Sequence, residues 1–360
     1  MQKLIILGST GSIGQQTLEV IRRFPREFKV VGLASGENFE LLEAQIAEFQ
    51  PRLIATNHPN KFRNQKILPL EELAAQKCDL VVSAVSGVAG LLPTLAALRV
   101  GNDVALANKE CLVLAGGIVM QTARKNNAQI FPVDSEHSGV WQLLEKVDKK
   151  KIRKVILTAS GGSLRNLPLY RLHAITPREV LNHPTWQMGK KVTVDSATLA
   201  NKAFEVIEAH HLFDLPYEKI EIVIHPQSLI HAMVETIDGG IFAQLANPDM
   251  RLPIQHALFR GIRNPSPLEF LSLADKKLEF IKPDFTRYPL FQTILSAAQQ
   301  GGLAPAVAAI ADEVAVNKFL AGEISFPEME IFVKTALVQT PRKPATLKNI
   351  LELVNASKGK

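Results

Sequence analysis

The sequence predicts an α/β protein with an N-terminal doubly wound parallel sheet, a central α+β domain and a C-terminal helical bundle. Three observations carry this. The first 133 residues alternate short apolar runs with amphipathic helical patterns, the rhythm of βαβ units. Residues 155–244 change to short alternating runs around glycine turns, which suits an antiparallel or mixed sheet. From residue 289 onward the periodicity is helical. The expected divisions are 1–133, 134–263, a Pro-rich linker at 264–288, and 289–360.

Composition bounds the possibilities. At 360 residues the chain can build two or three domains with ample core. A hydrophobic content of 46% with 21% charged residues fits a soluble globular protein. No apolar run approaches the ~18–20 residues a membrane span needs, and the N-terminal run ends in a glycine turn too early for a signal peptide. Cys78 and Cys111 lie in apolar segments without metal-type spacing, so they read as reduced core residues of a cytoplasmic protein. The net charge of +6 agrees with small anionic ligands. The basic cluster at 146–154 contains no aromatic residue and reads as a solvated face, so neither nucleic acid nor membrane is an expected partner.

Taking the chain in order, an apolar run at 3–7 leads into GSTGSIG and a helical pattern at 13–24. Strand, glycine turn and helix open a nucleotide-binding unit: Gly8 permits the turn, Gly11 lets a phosphate approach, and Gly14 lets helix and strand pack closely. A glycine turn without a nucleotide is the alternative. Strands are expected at 29–33, 53–56, 80–85, 103–107 and 129–133, and helices at 41–49, 70–76, 88–98 and 110–126. Ligands of such sheets lie beyond the carboxyl ends of the strands. Those ends carry Gly36-Glu37-Asn38, Ser83 to Gly87, Asn108-Lys109-Glu110 and Asp134-Ser135-Glu136. An acid after the second strand commonly binds a ribose 2′-hydroxyl, so the position of Glu37 taken alone predicts NAD rather than NADP.

In the middle, Asp134 and Glu136 are two apart at a strand end; an extended chain would aim both to one side, ready to share a divalent cation. A solvated helix start is the other reading. Residues 155–159 form an expected strand ending in Ser160-Gly161-Gly162, a turn able to nest an oxyanion. Residues 183–213 then read as a loop bearing Trp186, a short strand at 191–194, and a helix capped by Asp195 or Ser196. Along that helix Asn201, Lys202 and Glu205 share one side, which suits an anion at the helix start and a metal about one turn on. A surface Lys–Glu pair is the plain alternative. His225 and His231 read as structural, and three expected strands follow within 222–244, with a turn at Asp238, Gly239 and Gly240.

The ordered motifs GSTGSIG (8–14), LANKE (106–110), PVDSEHS (132–138), TASGG (158–162), HPTWQMG (183–189), VDSATLANK (194–202), HPQSLIH (225–231) and PDMRLPI (248–254) resemble the 1-deoxy-D-xylulose 5-phosphate reductoisomerase family over nearly the whole chain. The resemblance implies a Rossmann-like first domain binding NADPH, a catalytic and dimerisation domain, and a helical C-terminal domain in a homodimer. It implies a retro-aldol/aldol rearrangement of the sugar phosphate followed by reduction, aided by Mg²⁺ or Mn²⁺.

Residue by residue, it implies that Thr10, Gly11, Ser12, Ile13, Gly36, Glu37, Asn38, Asn108, Glu110 and Gly189 contact the cofactor. Asp134, Glu136 and Glu205 would hold the metal. Lys109 and Ser135 would meet the substrate's oxygenated carbons, with Lys109, Glu136 and Glu205 catalytic. Ser160, His183, Ser196, Asn201 and Lys202 would gather the phosphate, and Trp186 would ride on a closing loop. Glu37 departs from the family pattern, where a basic or small residue is usual. Two rival readings stand beside it: a metal-independent aldehyde reductase on the same scaffold, of the homoserine-dehydrogenase kind, and a non-catalytic nucleotide-sensing module.

Overall fold

The computed structural model describes residues 1–186, 188–266 and 268–357. Gln187 of the expected loop and the last three residues of the expected helical domain lie outside the described residues. The chain packs as two compact units. The first comprises Met1–Cys111, Gly117–Ser138 and Asp249–Phe270; the second comprises Leu112–Gly116, Gly139–Pro248 and Leu271–Lys360.

The first unit holds β1 (Gln2–Leu7), α1 (Ser12–Arg23), β2 (Phe28–Ser35), α2 (Phe39–Phe49), β3 (Leu53–Thr56), β4 (Lys66–Ile67), α3 (Leu70–Ala74), β5 (Leu80–Ser83), α4 (Leu91–Arg99), β6 (Asp103–Leu106), both ends of α5 (Glu110–Lys125), whose residues Leu112–Gly116 belong to the second unit, β7 (Ile130–Pro132) and the start of α6 (Ser135–Leu144). Its seven strands are all parallel, in the order β4-β3-β2-β1-β5-β6-β7. The order reverses between β1 and β5, the switch point where doubly wound sheets bind their ligands. Leu4 to Leu7 are wholly buried, as expected for a strand covered on both faces.

Two differences from the sequence reading have local causes. The helix expected from residue 88 begins at Leu91, after a tight turn over Gly87–Gly90. Pro93, lacking an N–H, is tolerated only in a first turn and so sets where the helix can start. The two-residue β4 is too short to leave a pattern. A later segment also belongs here: Phe259, at the end of a helix over Arg251–Leu258, meets Phe24 and Phe28 edge-on at 4.9 Å each. Arg260 binds Asp103 at 2.9 Å and the Asp79 carbonyl at 2.8 Å.

The second unit holds β8 (Ile152–Ala159), α7 (Pro177–Val180), α8 (Lys190–Thr198), α9 (Ala200–Phe213), β9 (Ile220–Ile224), β10 (Ile230–Thr236) and β11 (Ile241–Leu245). The helix over Arg251–Leu258 just described is α10, and α11 (Pro289–Gln300), α12 (Ala304–Leu320), α13 (Glu328–Val338) and α14 (Leu347–Ser357) complete the second unit. The sheet is mixed, in the order β11-β10-β8-β9, with β8 and β9 parallel and the other pairs antiparallel.

The expected strand at 191–194 is a helix. Its Val and Thr content suits a strand, but Lys191 and Asp195 pair one helical turn apart at 2.5 Å, and residues 193–198 are buried on all sides. Asp195 and Ser196 therefore lie inside α8 and cap nothing. Leu199, in the left-handed conformation (φ 58°), breaks α8 from α9, and the Thr198 hydroxyl accepts from the Ala200 amide at 3.2 Å.

Nearly apolar all round, α12 is enclosed by its neighbours, with one buried charge at its centre. Asp312, fully buried, meets Lys191 of α8 at 3.0 Å. Lys191 thus joins two buried carboxylates and ties the bundle to α8. Breaking a buried ion network by removing one partner costs about 3–5 kcal/mol. Lys191→Met should lower the denaturation midpoint accordingly, and should do so more than Lys318→Met, whose ion pair is exposed.

His211 is a second internal strut. A Cβ on Gly116 would lie 2.1 Å from its ring, so the glycine makes room for it beside the kink at Ala115 in α5. Burial, with neighbouring His210 adding to it, pushes His211 from 6.5 down to about 4. The unfolded ring takes a proton near 6.5 and the folded ring only near 4, so stability falls as pH drops through that window. The loss is at most about 3 kcal/mol. Denaturation of the parent at pH 7 and pH 5 should show this slope, and His211→Gln should reduce it.

Candidate active site

In the first unit the expected ligand groups gather at the carboxyl ends of the strands. Gly8 (φ 84°) closes β1, and a Cβ there would sit 2.5 Å from the Ala84 carbonyl after β5. A Cβ on Gly14 would meet the Gly8 carbonyl at 2.2 Å. These two glycines bring α1 down onto the switch point. Gly11 caps α1 without a side chain, and no acid lies in the first turn, so the helix start is dressed for an anion. Thr10 and Ser35 share a hydroxyl bond of 2.7 Å, joining the β1 and β2 turns. Asn38 accepts from the Leu41 amide at 3.1 Å and caps α2.

Glu37 does not stand free at the end of β2. Its oxygens take the Asn57 amide at 2.7 Å and the His58 ring at 3.0 Å, and these bonds hold its carboxyl below the usual range. Asn108 is buried and acts as a strut: it donates to the carbonyls of Val85 (2.5 Å) and Gly87 (2.8 Å) and accepts from the Cys111 amide (2.9 Å). It thereby fixes Lys109 and Glu110 at the head of α5.

At the end of β7 the extended chain expected for Asp134 and Glu136 is not found. The Ser138 amide donates to the Asp134 carbonyl at 2.8 Å, so Asp134 caps a helix and Glu136 lies in its first turn. The carboxylates nonetheless offer oxygens within 4.8 Å of each other. Lys109 meets Asp134 at 2.5 Å, and the Ser135 hydroxyl donates to Glu136 at 2.6 Å.

The second unit assembles the expected phosphate group. Gly161 and Gly162 both have positive φ (82° and 73°). A Cβ on Gly162 would lie 2.6 Å from the Ala197 Cα and the Ser196 carbonyl, so only glycine lets this turn lie against α8. His183 stands between Ser160 and Ser196, with Nε2 3.0 Å and 3.4 Å from their hydroxyls. Its Nδ1 accepts from the amides of Thr185 (3.1 Å) and Trp186 (3.0 Å). The ring proton must then sit on Nε2, making His183 a neutral donor toward the serines. Burial, and secondarily Arg165, lowers its pKa in keeping with that form.

On α9, Asn201 donates to Glu205 at 2.5 Å, and Lys202 pairs with the other oxygen of Glu205. Lys202 is 3% exposed and Glu205 1%, so the surface-pair reading of this helix fails. A buried ion pair costs desolvation and is a poor device for stability alone; its presence points to function. Trp186 sets its ring edge-on to His231 at 6.2 Å. Gly189 caps α8 with open space where a Cβ would go. His225 is structural: it accepts from the Leu229 amide (3.2 Å) and contacts the Glu279 carbonyl (2.9 Å).

Sequence reading missed the supports of these groups. Arg165 donates to the Ser160 carbonyl at 3.3 Å, and the Tyr288 hydroxyl donates to the Gly161 carbonyl at 2.9 Å. Tyr288, 127 residues from Gly161, left no signal in the sequence.

Family profiles match along the chain: 1-deoxy-D-xylulose 5-phosphate reductoisomerase over residues 4–116, its C-terminal domain over 130–213, and the DXP reductoisomerase C-terminal domain over 245–359. A 1-deoxy-D-xylulose 5-phosphate reductoisomerase of Thermoanaerobacter sp. (strain X514) is 46% identical over 351 residues, covering 94% of this chain and 92% of the relative. That of Geobacter metallireducens is 45% identical, covering 98% and 96%. A crystal structure of DOX-P reductoisomerase with NADPH, fosmidomycin and magnesium matches with a TM-score of 0.94 at 36% identity, covering 100% of this chain and 97% of the other. The Zymomonas mobilis enzyme with NADPH matches with a TM-score of 0.91 at 36% identity, covering 99% and 97%. The glycine turn, the strand-end polar rim and the buried Lys202–Glu205 helix thus accompany a match along almost the full length, and the chain belongs to the 1-deoxy-D-xylulose 5-phosphate reductoisomerase family.

Proposed function

We propose that this protein rearranges 1-deoxy-D-xylulose 5-phosphate and reduces it with NADPH to 2-C-methyl-D-erythritol 4-phosphate, using a divalent cation, in isoprenoid precursor synthesis. The observation that carries the reading is the buried Lys202–Glu205 pair on the helix that follows the Ser160–His183–Ser196 cluster. An ammonium, an amide, two hydroxyls and a neutral imidazole donor suit a phosphate, and a carboxylate lies one turn beyond.

Asp134, Glu136 and Glu205 would hold the cation. Three carboxylates without His or Cys are hard oxygen donors suited to magnesium or manganese. Bound there, the ion supplies Lewis-acid polarisation of the substrate's carbonyl and adjacent hydroxyl oxygens. NADPH, held at the glycine turn, supplies the hydride; Thr10, Gly11, Ser12, Ile13, Gly36, Asn38, Glu110 and Gly189 are the residues we assign to it.

The chain's own groups then act as follows. Lys109, positioned by the Asn108 strut, stabilises negative charge that develops on substrate oxygen. Ser135 orients Glu136 and meets the oxygenated carbons. Ser160, Ser196, Asn201 and Lys202, with the Nε2–H of His183, bind the phosphate and so use remote binding energy for positioning. Trp186, tied to His183 through its backbone amide, closes over the site and excludes water.

The test is NADPH oxidation by the purified protein. Turnover should require both the phosphorylated sugar and a divalent cation, and turnover that persists in a chelator would overturn the metal assignment. The metal-independent reductase predicts that persistence and has no use for the phosphate cluster.

We also infer a homodimer in the cytoplasm. Cys78 and Cys111 are free and buried, as suits a reducing compartment, and no helix among the described residues is long and apolar enough to cross a membrane. Strand β11 lies at its sheet's edge with Ile241 and Phe242 exposed, near exposed Ile237. An apolar edge of this kind favours a partner surface. Phe242→Lys should shift the particle mass toward that of a monomer in light scattering.

A further inference from the structure

Glu37 poses a problem for a protein that binds NADPH. An acid at the end of the second strand ordinarily takes the ribose 2′-hydroxyl, and a bare carboxylate there would repel the 2′-phosphate, which carries close to two negative charges. The neighbouring strand supplies the answer. Asn57 and His58 follow β3, which pairs with β2 in the sheet. Asn57 donates to one oxygen of Glu37 and the His58 ring meets the other. The His58 backbone amide is fixed to the Thr56 hydroxyl at 3.1 Å, and its ring leans on Phe39 with centroids 5.2 Å apart. The Lys61 ammonium lies over the same Phe39 ring at 4.9 Å. This corner is open: the Glu37 side chain is 79% exposed and that of His58 33%.

We propose that His58, oriented by Glu37 and assisted by Lys61, reads the 2′-phosphate of NADPH and sets this chain's preference for the phosphorylated cofactor. Nε2 faces Glu37, which leaves Nδ1 as the ring's second donor when both nitrogens carry protons. Glu37 is then a positioning residue rather than a ribose ligand. Its charge is offset by the imidazolium, and Lys61 adds a second positive charge in the same corner. The proposal rests on the reading that the dinucleotide binds at the strand ends of the first unit.

The test measures binding to the full-length protein by calorimetry, with 2′,5′-ADP and ADP as probes, and takes the ratio of their dissociation constants as the preference. The parent should favour 2′,5′-ADP. His58→Ala should cut the preference about tenfold, the scale of one lost charge-assisted hydrogen bond, and His58→Arg should keep it. Adding Glu37→Gln to His58→Ala should recover most of the loss, because the carboxylate that His58 offset is then gone; in the parent background the same change should give no such gain. A preference that stays within twofold in His58→Ala overturns the proposal. So does a Glu37→Gln effect that is equal in both backgrounds. If the folded parent binds neither nucleotide, the dinucleotide site itself is wrong and the proposal falls with it.

Discussion

Glu205→Gln should abolish cation-dependent turnover, lowering kcat/KM by about 10³-fold or more, the scale seen when a group stabilising transition-state charge is lost. The substitution keeps volume but removes the charge. Glu205 now accepts from Asn201 on one oxygen and pairs with Lys202 on the other. A glutamine must turn its own NH₂ toward one of them, setting donor against donor. Lys202 is also left buried without its counter-charge, which costs about 3–5 kcal/mol. Both losses would appear together, so a second variant separates them. Lys202→Met with Glu205→Gln removes the buried charge and should recover much of the stability while leaving activity lost. Steady-state NADPH oxidation with cation titration, beside thermal denaturation, reads both. A Glu205→Gln enzyme with an unchanged cation requirement would remove Glu205 from the metal set.

The other large effect is expected from Gly162→Ala. The turn has φ 73°, and the new Cβ would lie 2.6 Å from backbone atoms of α8 that cannot swing away. Left-handed backbone costs an alanine about 1–2 kcal/mol, and forcing extra volume into packed structure adds about 1–3. The turn should move off α8 and take Ser160 away from Ser196 and His183. Loss of two or three phosphate contacts predicts a rise in KM for the phosphorylated sugar of 10²-fold or more, with a smaller change in KM for NADPH. Gly239→Ala is the control: it shares a positive φ but opens onto space at the β10–β11 turn. It should cost some stability and leave KM alone.

Much of the fold was legible because its signals are local. The Gly8–Gly14 turn, the βα rhythm and the Ala-rich C-terminal helix each follow from residues within a few positions of one another. Part of the candidate anion group was legible for the same reason: Ser160 sits in a glycine turn and Asn201 and Lys202 in the first turn of α9, whereas Ser196 lies inside α8. The 191–194 segment misled because β-branched residues favour a strand when exposed on one face, whereas here burial on every side and the Lys191–Asp195 pair selected a helix. Asp134 and Glu136 misled in a related way, since Asp-Ser-Glu serves both a strand end and a helix start.

By itself, then, the sequence determined the glycine turn at the head of α1, the βα rhythm of the first unit and the chemical types offered for a candidate anion and cation site. The tertiary structure alone decided how those groups are held. It buried Lys202 against Glu205, assigned the His183 proton to Nε2 through two loop amides, and set His58 and Asn57 against Glu37. It also tied Asp312 to Lys191 across 121 residues. The physical reason is one of range. Backbone preference and hydrophobic period act over a few residues and leave a pattern in the sequence, whereas desolvation and ion pairing depend on which distant segments the packed core brings together.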